Sequence, residues 1–264
     1  MARELRRLLI PPQRLAQTAT QHDPKSPGTL LRLAEPERHY LLRVLRQRDG
    51  DRVEVVDGQG GLWTAQLEEG SRLRLDPPLA APLRCELPPS PPLELALALP
   101  RRDVELVWRM ATELGIDRFR PLLASRCVVQ GRPPLERWRS VISEACEQCE
   151  RLWRPQLLDP ADALPWLAEA QGVACFIGTT RDGALPSLAS VLAELQPQSG
   201  ATSVAIGPEG GWCPEEEAAA IASGWRPVSL GPLILRSGTA AVAAAVQLAA
   251  WRQGMEPLSQ ILRT

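Results

Sequence analysis

From residue 93 onward, short apolar runs alternate with stretches whose apolar residues recur at helical spacing. The run 93–99 (LELALAL) predicts a strand. Behind it Val104, Val107, Trp108, Ala111 and Leu114 share one helical face, and Gly115 stops the helix. A second helix is predicted over 134–149, with Trp138, Val141, Ile142, Ala145 and Cys149 as its apolar positions. Further on, 172–177 reads as a strand, 185–195 as a helix and 204–206 as a strand. A helix starting at Pro214, a strand at 228–230 and an alanine-rich helix over 239–251 complete the series. Such alternation predicts an α/β fold, with a parallel sheet covered by helices on both faces.

The first 76 residues have a different rhythm and predict a small β-rich domain. Val53, Val55 and Val56 form one strand, 62–67 the next, and Asp57-Gly58-Gln59-Gly60-Gly61 the hairpin turn. A short helix is predicted over 36–48, with Tyr40, Leu41, Val44 and Leu45 on one side. Seven prolines between 77 and 92 exclude a helix or central strand and predict a linker. The expected division is therefore 1–76, a linker at 77–92, and 93–264.

Charge adds an asymmetry that the formal net of −1 conceals. Residues 1–48 carry ten Arg/Lys against four Asp/Glu, while 155–264 carry five against ten. A basic end on a slightly acidic body fits a polyanion-binding module ahead of a catalytic domain, and equally a solvated surface with chance asymmetry. The six cysteines are scattered, and Cys146-Glu-Gln-Cys149 lies within a helical pattern without a second pair. They read as free thiols in a reducing, cytoplasmic setting, with no metal site. No apolar stretch approaches the ~20 residues of a membrane span.

Two glycine-proline loops, 207–211 (GPEGG) and Gly231-Pro232, each follow an apolar run and lead toward a helix. Pro214 takes the first helical position, with Glu215, Glu216 and Glu217 complementing the helix dipole. Neither loop continues into Gly-Lys-Ser/Thr, and no GxSxG or HExxH occurs. With two histidines, both before residue 40, catalysis by a histidine base or a His-ligated metal is not expected. What remains is a glycine-loop site for a small polar ligand, with a placed arginine.

AIGPEGGWCPEEE followed by LGPLILRSGTA resembles the closing part of the RsmE family. These are SPOUT-class methyltransferases acting on N3 of a uridine in 16S rRNA of the small ribosomal subunit. Upstream, RHYLLRVLRQRDGDRVEVVDG, LPRRDVELVWRMATELGIDRFRPLLASRCV and ERWRSVISEACEQCERLWRPQL are also family-like. The resemblance implies a small PUA-like β-barrel RNA-binding domain, then a parallel-sheet SPOUT domain with a C-terminal trefoil knot. It further implies S-adenosyl-L-methionine as cofactor and a homodimer packed through the last helix. This chain departs at Leu233, where the family usually has Arg, at Gly238, where it has Glu, and at Cys213, where it has Ser or Thr.

Carried over residue by residue, the cofactor pocket would comprise Ile177, Gly178, Gly207, Pro208, Glu209, Gly210, Leu230, Gly231, Ile234, Leu235 and Arg236. Uracil N3 must lose a proton, so a cation or a base is required. Arg236 is the candidate for orienting the base or stabilising its charge. Glu209 is either the proton acceptor or a structural carboxylate. RNA contacts are expected from Arg6, Arg7, Arg14, Arg43, Arg46, Arg101 and Arg102, the last two at a strand's carboxyl end. Leu233 and Gly238 keep two alternatives open: a catalytically impaired RNA- or cofactor-binding assembly factor, and a SPOUT methyltransferase with another RNA target.

Overall fold

The computed structural model describes residues 5–19, 29–128, 132–169, 172–179, 185–196 and 200–255. The chain forms two compact units, Met1–Pro88 with Cys146–Arg154, and Pro89–Ala145 with Pro155–Thr264.

The first unit contains β1 (Arg7–Leu9), α1 (Pro12–Ala19), β2 (Leu30–Arg32), α2 (Glu35–His39), β3 (Arg52–Val56), β4 (Gly61–Glu68), β5 (Arg72–Leu75) and β6 (Arg84–Cys85). Its sheet runs β1-β3-β4-β5-β2, with β6 added beside β4. Alternate residues of β3 and β4 (Val53, Val55, Trp63, Ala65 and Leu67) point into a core shared with Leu31, Leu41 and Leu73. The helix expected to reach residue 48 ends earlier. After α2 the chain makes one π-helical turn, Tyr40–Val44, and Arg46 adopts a positive φ of 54°. The wider turn breaks the expected apolar side, so Leu41 is buried while Val44 is 58% exposed.

The proline-rich stretch is not a free linker. Arg84 and Cys85 pair with Leu62 and Gly61, and the flanking Leu83 and Glu86 N–H groups donate to Leu62 O (2.8 Å) and Gly60 O (2.9 Å). The prolines flank the pairing residues and leave these donors available at the sheet margin. Residues 146–154 also join this unit. Gly60 N–H donates to Leu152 O and Arg154 N–H to Gly58 O, both at 3.0 Å. A Cβ on Gly60 would lie 2.4 Å from Glu86 O and 2.8 Å from Trp153 Nε1, so the hairpin glycine is required by close approach.

The second unit contains β7 (Leu93–Ala98), α3 (Val104–Glu113), β8 (Arg118–Leu123), α4 (Leu135–Gln148), β9 (Gln156–Leu157), β10 (Ala161–Asp162), α5 (Ala163–Leu167), β11 (Ala174–Gly178), α6 (Leu188–Ala193), β12 (Thr202–Ile206), α7 (Pro214–Ala222), β13 (Arg226–Val228) and α8 (Ser237–Met255). The sheet order is β10-β8-β7-β12-β11-β13, with β9 on β8, and every pairing is parallel. All six residues of β7 and all five of β12 are buried, as a sheet covered on both sides demands. Period-two alternation divides them. Ala96, Ala98, Ile177 and Ala205 meet Trp166, Trp212, Ala220 and Trp225 on the face that carries α5 and α7. The other face carries α3 and α8, where Phe119 packs against Trp108 with the rings tilted at 44° and their centroids 4.9 Å apart.

The last strand lies two residues earlier than the apolar run suggests, because its register with β11 pairs Phe176 with Arg226 and Gly178 with Val228. Ser229 and Leu230 already belong to the loop. The final helix is longer than expected and begins at Ser237.

The far end of α8 is locked by Arg252. Its guanidinium pairs with Asp117 and donates to Gly115 O at 2.7 Å. Asp117 also accepts Leu93 N–H at 2.8 Å, and the paired side chains are only 13% and 12% exposed. Removing Arg252 would take the guanidinium from the buried Asp117 carboxylate, at a cost of about 3 kcal/mol. We expect Arg252→Ala to lower Tm by roughly 5–10 °C in a thermal melt. A shift below about 2 °C would contradict this clamp.

Candidate cofactor and RNA site

The candidate site follows from strand register. Gly178, at the end of β11, is paired on one side with Ile206, the end of β12, and on the other with Val228, the end of β13. Three parallel strands therefore stop at the same level. The loops that follow emerge side by side at the carboxyl edge, where open parallel sheets receive ligands. These loops contain the two glycine-proline motifs and the segment Leu230–Arg236 that leads into α8.

Side chains tie the loops together. Trp212 is buried, and its Nε1–H donates to Gly178 O at 3.2 Å, joining the loop after β12 to the end of β11. A Cβ on Gly207 would sit 3.2 Å from the Trp212 ring, and one on Gly178 would sit 3.2 Å from Ile206 Cδ1 and 3.6 Å from Leu230 Cδ1. Both positions suit glycine because neighbours already fill the space. Ser237 is 5% exposed, and its hydroxyl donates to Gly207 O at 2.7 Å, fastening the start of α8 to the same loop. Gly211 turns the chain with φ of 70° and donates its N–H to Pro208 O at 2.8 Å.

A fourth element was not anticipated. Glu216, 1% exposed, accepts Cys213 N–H at 2.9 Å and Ser125 N–H at 2.8 Å. Arg126 donates to Gly210 O (2.9 Å) and Trp212 O (3.0 Å). The turn after β8 thus braces the 209–216 loop. Sequence reading placed Glu216 only as a helix-dipole carboxylate. The spacing Cys213-x-x-Glu216 carries a signal for the bond back to the Cys213 N–H, but nothing signals the one to Ser125.

Among the expected pocket residues, Ile177 and Pro208 are buried, and Gly178, Gly207, Leu230 and Leu235 are partly exposed. Glu209, Gly210, Gly231, Ile234 and Arg236 are exposed. Leu233 and Ile234 are each 76% exposed, a large apolar surface beside the glycine loops. The Arg236 side chain makes no ion pair among the described residues, and its carbonyl accepts Ala240 N–H at 2.8 Å. Glu209 Oε1 accepts Arg101 N–H at 3.1 Å, so this carboxylate braces the end of β7.

Of the arginines expected to meet RNA, Arg6, Arg43, Arg46, Arg101 and Arg102 are exposed. Arg7 and Arg14 are engaged elsewhere. Arg7, with its side chain 8% exposed, pairs with Glu54 at 2.6 Å and Glu150 at 3.1 Å, and Arg14 pairs with Glu37. Their charges are spent on holding the first unit together. Among the described residues no group of His, Cys, Asp and Glu is placed to hold a metal, and no helix is long and apolar enough to cross a membrane.

Comparison with known proteins gives the family. Residues 88–249 match the RNA methyltransferase domain, and 33–76 match the RNA methyltransferase PUA domain. The chain belongs to the RsmE family of RNA methyltransferases. It is 38% identical over 223 residues to ribosomal RNA small subunit methyltransferase E of Synechocystis sp., covering 82% of this chain and 71% of that protein. Identity to the protein of the same name from Mycobacterium bovis is 32% over 221 residues, covering 79% and 81%. A Legionella pneumophila methyltransferase solved with bound SAM matches with a TM-score of 0.75 at 26% identity, covering 94% of this chain and 98% of that one. The fold is therefore the SPOUT-type methyltransferase domain preceded by a PUA-like domain.

The two cross-loop bonds give a test. Ser237→Ala and Trp212→Phe each remove one donor and leave a loop carbonyl without its partner. Each should weaken SAM binding several-fold in calorimetry, at about 1 kcal/mol per neutral hydrogen bond. Wild-type affinity in both variants would mean that these bonds do not shape the site.

Proposed function

We propose that this protein transfers the methyl group of S-adenosyl-L-methionine to N3 of a uridine in 16S rRNA of the small ribosomal subunit. The observation that carries the reading is the common level of Gly178, Ile206 and Val228, which brings three loops into one site in a chain of the RsmE family. The residues present fit the cofactor. Leu230 and the exposed Ile234 offer an apolar wall, and the glycine loops offer main-chain groups for a purine edge. When bound, the sulfonium supplies an already activated methyl group.

The chain's own task is alignment and charge control. Arg236, free of ion pairs among the described residues and just ahead of α8, can hold a uracil and stabilise the anion left when N3 loses its proton. Glu209 remains a candidate acceptor, although its bond to Arg101 N–H supports a bracing role. Arg6, Arg43 and Arg46 supply exposed charge in the PUA-like domain for the polyanion.

The trefoil knot belongs to this reading. After β13 at the sheet edge, the chain passes through 229–236 and returns as α8 against β7 and β12 in mid-sheet. The homodimer does too. Val246 on α8 is 45% exposed and Leu106 on α3, which packs on α8, is 43% exposed, an outer apolar surface that a second copy would cover. A cytoplasmic setting follows from the rRNA substrate.

Leu233 and Gly238 support a second reading, a binding-only assembly factor. Gly238 leaves room for a side chain, since a Cβ there would meet only Val107 Cγ2 at 3.4 Å. Methyl transfer from labelled SAM to unmodified small subunits separates the two. We expect transfer by the natural chain, and Arg236→Ala to lower kcat at least a hundredfold without changing Tm. Full turnover by Arg236→Ala removes Arg236 from the mechanism. Transfer seen only with Gly238→Glu establishes the binding-only reading.

A further inference from the structure

The second unit holds a cleft of about 540 Å³ between the end of β7 with the start of α3 and the residues leading into α4. Arg101, Arg102 and Arg132 line it, and Trp138 closes part of its wall. All three arginines are exposed, and none of their guanidinium groups makes an ion pair among the described residues. On the first unit's sheet Arg52, Arg72 and Arg74 are matched to carboxylates, whereas these three arginines gather unmatched around one cavity.

The two acids in the lining do not cancel this charge. Glu105 is held by Arg137 at 3.2 Å. That leaves Asp103 in the lining, and Glu209 beside Arg101, against three arginines. The cleft also adjoins the catalytic loops, because Arg101 N–H is the donor bound by Glu209 at 3.1 Å. A site of this kind suits several phosphates at once, and bidentate arginine is well matched to them. It suits the cofactor poorly, because S-adenosylmethionine carries a net positive charge at neutral pH and a cationic cleft repels it.

We infer that this cleft takes the phosphodiester backbone of the RNA strand beside the reacting nucleotide, with Arg132 completing the phosphate site begun by Arg101 and Arg102. The inference rests on the RNA methyltransferase reading and adds the place where the substrate strand runs. Arg132 contributes binding that is equal in ground and transition states, so it acts on KM and not on kcat.

The test is a salt series of binding to a 16S rRNA transcript, with SAM titrations and methyl transfer to unmodified small subunits measured on the same preparations. One phosphate contact on a single strand adds about 0.7 to the slope of log K against log salt, or about fivefold in affinity between about 1 M and about 0.1 M. Arg132→Ala should lose that increment and raise KM for RNA about fivefold, with kcat and SAM affinity unchanged. Arg132→Lys should keep the slope, because the charge remains. An unchanged slope in both Arg132→Ala and Arg102→Ala, in a protein that still methylates, overturns the inference and leaves the methyltransferase reading standing. Loss of SAM affinity with RNA binding intact also overturns it, assigning the cleft to the cofactor's carboxylate. A wild-type protein that neither binds RNA nor transfers methyl overturns both.

Discussion

The parallel register of β11 with β12 and β13 is the constraint on which the rest of the site depends. Gly178 is matched simultaneously to Ile206 and Val228, so three loops must leave the sheet together. One residue of slip in either pair would turn each strand's side chains to the opposite face, and Ile177 and Ala205 would lose their contacts with Trp166 and Trp212. The register is thus held by packing on both faces, and the loops inherit its precision. Trp212 and Ser237 then transmit it, one by a bond to Gly178 O and the other by a bond to Gly207 O. Chemistry that needs alignment more than acid or base strength is well served by such a frame.

Much of this was legible in the chain. The apolar runs at 93–99, 172–177 and 204–206 correspond to β7, β11 and β12, because buried parallel strands leave continuous apolar signatures. Pro214 and the three glutamates marked the start of α7. The two-residue strands β9 and β10 left no pattern, being too short to show a period. Arg226–Val228 was misplaced toward 228–230 because the register with β11, a tertiary fact, decides where pairing stops.

The candidate site was readable as motifs and not as contacts. The glycine loops and Arg236 stand out in one dimension. The bonds of Ser237, Trp212, Arg126 and Glu216 join segments separated by 30, 34, 84 and 91 positions and have no local signature. Arg7 and Arg14 illustrate the converse. They looked like polyanion contacts in a basic stretch, yet the fold supplies Glu54, Glu150 and Glu37 as partners. The tail of α4 behaves likewise. Residues 146–154 are the last turn of α4 and the segment after it, yet they join the first unit through the glycine hairpin at 58–60.

We propose that this geometry serves methyl transfer to N3 of a uridine in small-subunit rRNA. The most direct measurement is reverse-transcriptase primer extension along 16S rRNA from bacteria lacking their own enzyme of this family, with and without this gene. A methyl on N3 occupies the Watson–Crick edge and stops the transcriptase. We expect a single new stop that appears only with the gene and disappears with Arg236→Ala. An unmodified 16S rRNA, in cells where the folded protein is present and binds S-adenosylmethionine, would contradict it.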